Sequence, residues 1–315
     1  MHQAIRPFLD DQSGVVTRKQ ALAAGLAPHD LARLVRRREL APLHPGVFVD
    51  HTGQPTFLQR AWGGVLLLEP AALAGHSALR AFEGPGSARA AQPVQVVVAW
   101  ERRVRPPAGI EVARCRAFEE RVQWNLGPPR LRYEEAALDV AAEATSDLAA
   151  LGELSRVIQS RRTTAARLQV AVERRTRYPR RRWIIDVLGD VAAGTCSVLE
   201  HGYLHRVERP HGLAPARRQV RDRVGPGVVY RDVLYECGVV GELDGRLFHD
   251  TTAQRDRDYD RDLVVAGDGG LTVRMSYGQV FDRACWTAFH IGRVLARAGW
   301  TGTFRRCGPT CGAPG

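Results

Sequence analysis

The chain has 315 residues, 44% hydrophobic and 25% charged, a balance that excludes wholesale disorder and fibrous architecture and, at this length, implies two or three compact units. Its longest apolar run, Ala61 to Leu68, contains two glycines and stops at Glu69-Pro70, far short of the roughly 20 residues a bilayer span needs. The net charge of +11 points to an anionic partner such as nucleic acid, although Lys19 is the only lysine and drift toward GC-rich codons would by itself enrich arginine.

Arg6, Asp10 and Asp11 interrupt the apolar residues of the N-terminus, so no secretory segment is read and the cytoplasm is the expected compartment. Cysteines at 115, 196, 237, 285, 307 and 311 are scattered, as suits a reducing compartment. A short amphipathic stretch, Ile5 to Leu9, leads to Thr17, the expected N-cap of a helix over Arg18 to Ala24. Gly25 supplies a turn, and Pro28 opens a second helix with Leu31, Leu34 and Val35 at buried-stripe spacing. Its other face carries Arg33, Arg36, Arg37 and Arg38, the candidate DNA contacts of a helix-turn-helix. Leu40 to Val49, with Pro42, Pro45 and Gly46, reads as two short strands, the wing of a winged helix. A small helical bundle with a solvated arginine face is the alternative.

The segment Val15 to Val49, above all Arg38-Glu39-Leu40 and His44-Pro45-Gly46-Val47-Phe48, resembles the N-terminal winged helix of AbiEi-family antitoxins. The resemblance implies DNA binding and a cognate toxin as a second partner. The stretch that follows resembles the α/β connecting region of such proteins.

From Phe57 to about Tyr178 the signals are structural. A helix should open at Gly75 with Ser77 as cap, Pro93 to Trp100 should form a strand, Ile110 to Arg114 alternates less clearly, and helical periodicity runs from Glu134 to Ala150. His76 reads as a hydrogen-bonded structural histidine rather than a catalytic one. Arginine clusters at 161–162, 174–175 and 180–182 read as solvated faces, or as tracks for a phosphate backbone.

The strongest chemical signal lies between Ser197 and His249. A helix from Ser197 to about Glu208 should bury Leu199, Tyr203, Leu204 and Val207, with Glu200 bordering that stripe. Ser-x-x-Glu is also a capping box, which would explain Glu200 without chemistry. Strands are expected at Arg218 to Val224, Val228 to Tyr235 and Val239 to Asp244, the last two joined by Glu236-Cys237-Gly238. A hairpin centred on Cys237 places Asp232 opposite Glu242, with Cβ atoms roughly 4.5 to 5.5 Å apart, and Asp244 on the same face. Opposed acids cost stability unless a cation lies between them, and hard oxygen ligands suit Mg²⁺ or Mn²⁺. A polar outer hairpin face is the plainer alternative.

"SVLEHGYLHRVERPHGL", "RRQV" and "VYRDVLYECGVVGELDGRLFHD" resemble the nuclease-like domain related to very-short-patch-repair endonucleases, within the PD-(D/E)xK superfamily. The resemblance implies Glu200, Asp232 and Glu242 as metal ligands, with Asp232, Glu242, Asp244, Arg246 and His249 forming the catalytic set of a DNA endonuclease. Asp244 stands where the wider superfamily has lysine, and an arginine such as Arg246 cannot readily replace that lysine as a base. Beyond it, Thr251 to Val265 reads as a charged helix, Leu271 to Met275 as a strand and Phe281 to Ala298 as a final helix.

The expected fold class is α/β, α+β overall. A winged helix-turn-helix spans 1–55, an α/β middle region 56–185, a restriction-endonuclease-like domain 190–304 and a flexible tail 305–315. Zinc at Cys307 and Cys311 would need two further ligands, and none is assigned from the sequence. Two functions remain open: metal-dependent DNA cleavage, and DNA-binding regulation of the antitoxin type that keeps the nuclease-like fold as scaffold. An antitoxin that binds only its partner protein fits the charge less well.

Overall fold

The computed structural model describes residues 3–89, 92–193, 197–224, 227–244, 262–263, 265–267 and 269–314. The fold is mixed α/β, in two compact units, Met1–Val140 and Ala141–Gly315. Among the described residues no helix is long and apolar enough to cross a membrane.

The first unit begins with a winged helix. Helix α1 (Arg6–Asp11), strand β1 (Val15–Thr17), helices α2 (Arg18–Ala23) and α3 (Pro28–Arg36), and strands β2 (Ala41–His44) and β3 (Val47–Val49) follow in order, with the strands arranged β1-β3-β2. Thr17 caps α2 as expected: its hydroxyl accepts the Gln20 N–H while the Gln20 side chain accepts the Thr17 N–H. Gly25, in the left-handed region at φ +90°, makes the turn. Ile5, Leu9, Val16, Ala21, Leu26, Leu31, Leu34 and Leu40 form one buried cluster, so the apolar stripe of α3 faces inward. The small-bundle alternative lacks the three-stranded sheet found here.

Helix α4 (Phe57–Leu67) then packs on this sheet through a bare backbone face: a Cβ on Gly63 would lie 2.5 Å from Leu43 Cδ2. Next come β4 (Ala72–Leu73), α5 (Gly75–Glu83), β5 (Val94–Ala99), β6 (Ile110–Cys115), α6 (Phe118–Arg121), β7 (Val122–Gln123), β8 (Arg130–Leu131) and α7 (Tyr133–Glu143). Their sheet runs β6-β5-β4-β8-β7. Ser77 does not cap α5, which has no side-chain cap. Its buried hydroxyl instead accepts the Gln95 N–H at 2.9 Å and fastens the helix to β5. His76 Nδ1 lies 3.2 Å from Arg89 Nη1, a structural contact.

In the second unit, the periodicity expected to run to Ala150 breaks after α7, and Ser146 caps a new helix, α8 (Asp147–Gln159). Then follow α9 (Ala165–Glu173), α10 (Arg181–Ala193) and α11 (Ser197–Gly202), which continues as a π-helical segment over Tyr203–Glu208. Arg180 and Arg181 are not a solvated face. Arg180 Nε binds Asp147 Oδ1 at 2.6 Å, and Arg181 donates to the Arg175 and Glu173 carbonyls, so both fasten helix ends. Strands β9 (Arg217–Val224), β10 (Gly227–Leu234), β11 (Val239–Asp244) and β12 (Leu271–Ser276) form a sheet in the order β12-β11-β10-β9, with β11 and β12 parallel. Helix α12 (Ala284–Arg297) ends the regular structure. Leu199, Tyr203, Val207, Val233, Leu243, Met275, Ile291 and Leu295 meet in its core. Leu204 is only half-buried. Arg246, His249 and most of the expected helix over 251–265 lie outside the described residues.

Candidate nucleic-acid interface and carboxylate cluster

Helix α3 owes its orientation to the burial of Leu31 and Leu34, which leaves the arginine side exposed. Asp30 accepts the Ala27 N–H at 3.1 Å and holds the helix start. It also binds Arg33 Nη2 at 2.9 Å, so the charge of Arg33 is already offset. Arg36, Arg37 and Arg38 are exposed. They occupy the last residue of α3, its C-cap and a left-handed residue at φ 60°, so they follow the chain as it leaves the helix for β2. That position suits contact with a phosphate backbone beside the groove rather than base edges, which helices of this type read from their N-terminal residues. His29, exposed near that N-terminus, is the polar side chain sequence reasoning passed over. Pro45 and Gly46 form the exposed wing tip, while burial holds the half-buried His44 below the usual histidine range and keeps it uncharged at neutral pH.

The carboxylates stand on the sheet of the second unit. Val233 pairs with Gly241 and Leu234 with Val240, the register of a hairpin centred on Cys237, and Gly238 turns it at φ +81°. The pairing ends at Val233, and just beyond it Asp232 lies close enough to Glu242 for their charges to interact. Leu243 N–H is donated to Asp232 Oδ2 at 2.8 Å, so this side chain helps join the two strands. Gln219 on β9 donates through Nε2 to Glu200 Oε1 at 2.6 Å and reaches Asp232 Oδ1 at 3.5 Å. The helical acid and the strand acid are thus joined by an amide. On the other side, the buried Arg231 binds Glu242 Oε1 and Asp222 Oδ2, each at 3.2 Å.

Burial pushes both acids above the usual carboxylate range. For Asp232, the Leu243 N–H, Gln219 and the charge of Arg274 oppose the rise, and Asp244 adds to it. For Glu242, the negative charge of Asp232 adds to the rise, and Arg231 and Arg274 oppose it. Arg274 sits beside Glu242 in the parallel pairing with β12 and is held by Asp262 through two contacts of 2.9 Å. Protein cations and an amide therefore already offset the opposed charges. As a donor set for Mg²⁺ or Mn²⁺ the cluster fits poorly, because N–H groups of Gln219, Leu243 and Arg231 already donate to Glu200, Asp232 and Glu242 and an ion would have to displace them.

The profile of one family, described as "Transcriptional regulator, AbiEi antitoxin", matches residues 3–49. This stretch coincides with the winged helix. No curated protein matches the chain.

Sequence reasoning placed Glu200, Asp232 and Glu242 near one another but missed Gln219, Arg231 and Arg274. Arg231 had a signal, since it alternates with Asp232 on a strand whose other side is core. Gln219 had a weaker one inside "RRQV", and Arg274 had none, because only the parallel pairing of a distant strand brings it to Glu242.

Proposed function

We propose that this protein is a DNA-binding transcriptional regulator of the antitoxin type, in which the winged helix grips DNA and the second unit serves as a scaffold for a protein partner. The observation that carries this reading is the exposed basic end of α3 beside a wing, within the residues that match the regulator family. A surplus of positive charge adds the long-range attraction such a surface needs. A cognate toxin is the partner that the antitoxin description suggests. Fluorescence anisotropy with duplexes from the region upstream of its own gene tests the reading: sequence-dependent binding supports it, and binding equal to that of random DNA counts against it.

Metal-dependent DNA cleavage is the second reading, favoured by one observation, the closeness of Asp232 to Glu242 with Glu200 nearby. It would require Mg²⁺ or Mn²⁺ to displace the Gln219 amide and the Arg231 guanidinium, and it assigns Asp244, Arg246 and His249 supporting roles. Plasmid incubated with the protein and either ion decides between the two. Nicking lost in both Asp232→Ala and Glu242→Ala supports the nuclease, whereas intact plasmid throughout supports the regulator.

A further inference from the structure

We propose that His211, Cys285, Cys307 and Cys311 bind one Zn²⁺ in a closed Cys₃His site that staples the C-terminal segment to the second unit. Their ligand atoms all lie within 4.8 Å of one another. Cys285 Sγ is 3.6 Å from Cys307 Sγ, and Cys311 Sγ is 3.8 Å from His211 Nε2. Zinc bonds of about 2.3 Å to sulfur and 2.0 to 2.1 Å to nitrogen give tetrahedral edges of roughly 3.5 to 3.8 Å. These two contacts therefore lie within about 0.3 Å of the separations a zinc ion would impose.

The surroundings favour an ion over a chance cluster. His211 is fully buried, with its ring stacked 5.5 Å from that of Phe304. Its Nδ1 lies 2.9 Å from the Val207 carbonyl, and donating there leaves the Nε2 lone pair directed at Cys311. That is the outer-shell arrangement by which a backbone carbonyl orients a histidine ligand. Cys307 and Cys311 have ligand-pair spacing, and the turn between them is closed by Cys311 N–H to the Gly308 carbonyl at 3.1 Å. Cys285 comes from the first turn of α12.

The site also accounts for the course of residues 301–314, which have no helix or strand. Arg305 N–H reaches the His211 carbonyl at 2.9 Å, and Arg306 Nη1 reaches the Cys311 carbonyl at 3.0 Å. Arg305 Nη2 and Arg306 Nη2 add contacts of 3.3 Å to the Arg209 and Pro314 carbonyls, and four ligand bonds would fix this glycine- and proline-rich segment further. Four protein ligands fill the tetrahedron and leave no position for water, which makes the site structural rather than catalytic.

The test uses the full chain purified with thiol reductant and without added metal. Elemental analysis should find one zinc per chain, and exchange for Co²⁺ should give the visible bands of a tetrahedral thiolate complex. The Cys307→Ser/Cys311→Ser double variant should lose at least nine-tenths of the zinc. His211→Cys, which keeps four ligands, should retain it, so that loss of metal is separated from loss of fold. Chelation should expose the segment after Thr301 to protease while the core stays intact. A reduced chain without zinc that gives only the spectrum of hydrated Co²⁺ would overturn the proposal, as would unchanged zinc in the double variant or a Cys285–Cys307 disulfide in its place.

Discussion

Replacing Arg36, Arg37 and Arg38 together by alanine tests whether the end of α3 contacts the DNA backbone. All three side chains are exposed, and none contributes to the buried cluster under α3, so the fold should survive, as far-UV circular dichroism would show. If each neutralises one phosphate, the slope of log K against log salt should fall by about 0.9 per contact, or about 2.7 for all three, and between about 50 and 200 mM salt that difference amounts to roughly 40-fold in affinity. Anisotropy titrations of one duplex at several salt concentrations measure the slope directly. Arg33→Ala is the internal control. Its guanidinium already binds Asp30 at 2.9 Å, so its slope should change by much less than one contact. An unchanged slope in the triple variant would refute the assignment, and so would a loss as large in Arg33→Ala.

The acid pair gives a pH-dependent prediction. Asp232 and Glu242 titrate above their ordinary values because burial disfavours their charges, so the contribution of these two groups to stability is fully present below the ordinary carboxylate range and falls as pH rises through the raised values. Asp232→Asn keeps an oxygen for the Leu243 N–H, removes the charge that repels Glu242, and should stabilise by up to about 1 kcal/mol at neutral pH and by nothing below about pH 4. Urea melts at both pH values measure this, and equal shifts at the two would contradict it. Gly14→Ala should destabilise the winged helix by about 1 to 3 kcal/mol, because Gly14 has φ +85° and an added Cβ would lie 2.4 Å from Asp50 Oδ1; a thermal midpoint within a degree of wild type would count against this. Tyr203 and Tyr235 share a hydroxyl–hydroxyl bond in the buried core. Tyr235→Phe should cost about 1 to 3 kcal/mol by stranding the Tyr203 hydroxyl, and adding Tyr203→Phe should recover part of it. Additive losses in a double-mutant cycle would show that the two hydroxyls are not coupled.

What could be read from the sequence was mainly local. The Thr17 cap, the Gly25 turn, the inward face of α3 and the hairpin turn at Gly238 each follow from a few neighbouring residues, so their order was legible without the fold. Where a local signal competed with a tertiary one, the tertiary one prevailed. Ser77 looks like a helix cap but is drawn to the Gln95 N–H of β5, a donor 18 residues away. Arg180 and Arg181 look like solvent-facing charge but are used at helix ends, Arg180 on Asp147, 33 residues upstream.

The same distinction explains why the chemistry of the second unit was only half legible. The closeness of Asp232 and Glu242 depends on a single hairpin and could be counted along the chain. The groups that decide what the pair can do come from outside it: Gln219 from β9 and Arg274 from β12. Two acids opposed on a strand face imply a nearby cation, but they do not say whether it is a metal or a guanidinium. Here Arg231 bonds directly to Glu242, and Arg274 opposes the upward shift of both acids. The reverse holds for the cysteines. Cys307 and Cys311 lacked partners within the tail, while Cys285, 22 residues before Cys307, and His211, 100 before Cys311, supply them. A ligand set assembled from such separations requires the sheet and α12 to be in place first, so zinc would lock a fold already formed, and its removal should loosen the C-terminal segment before the core.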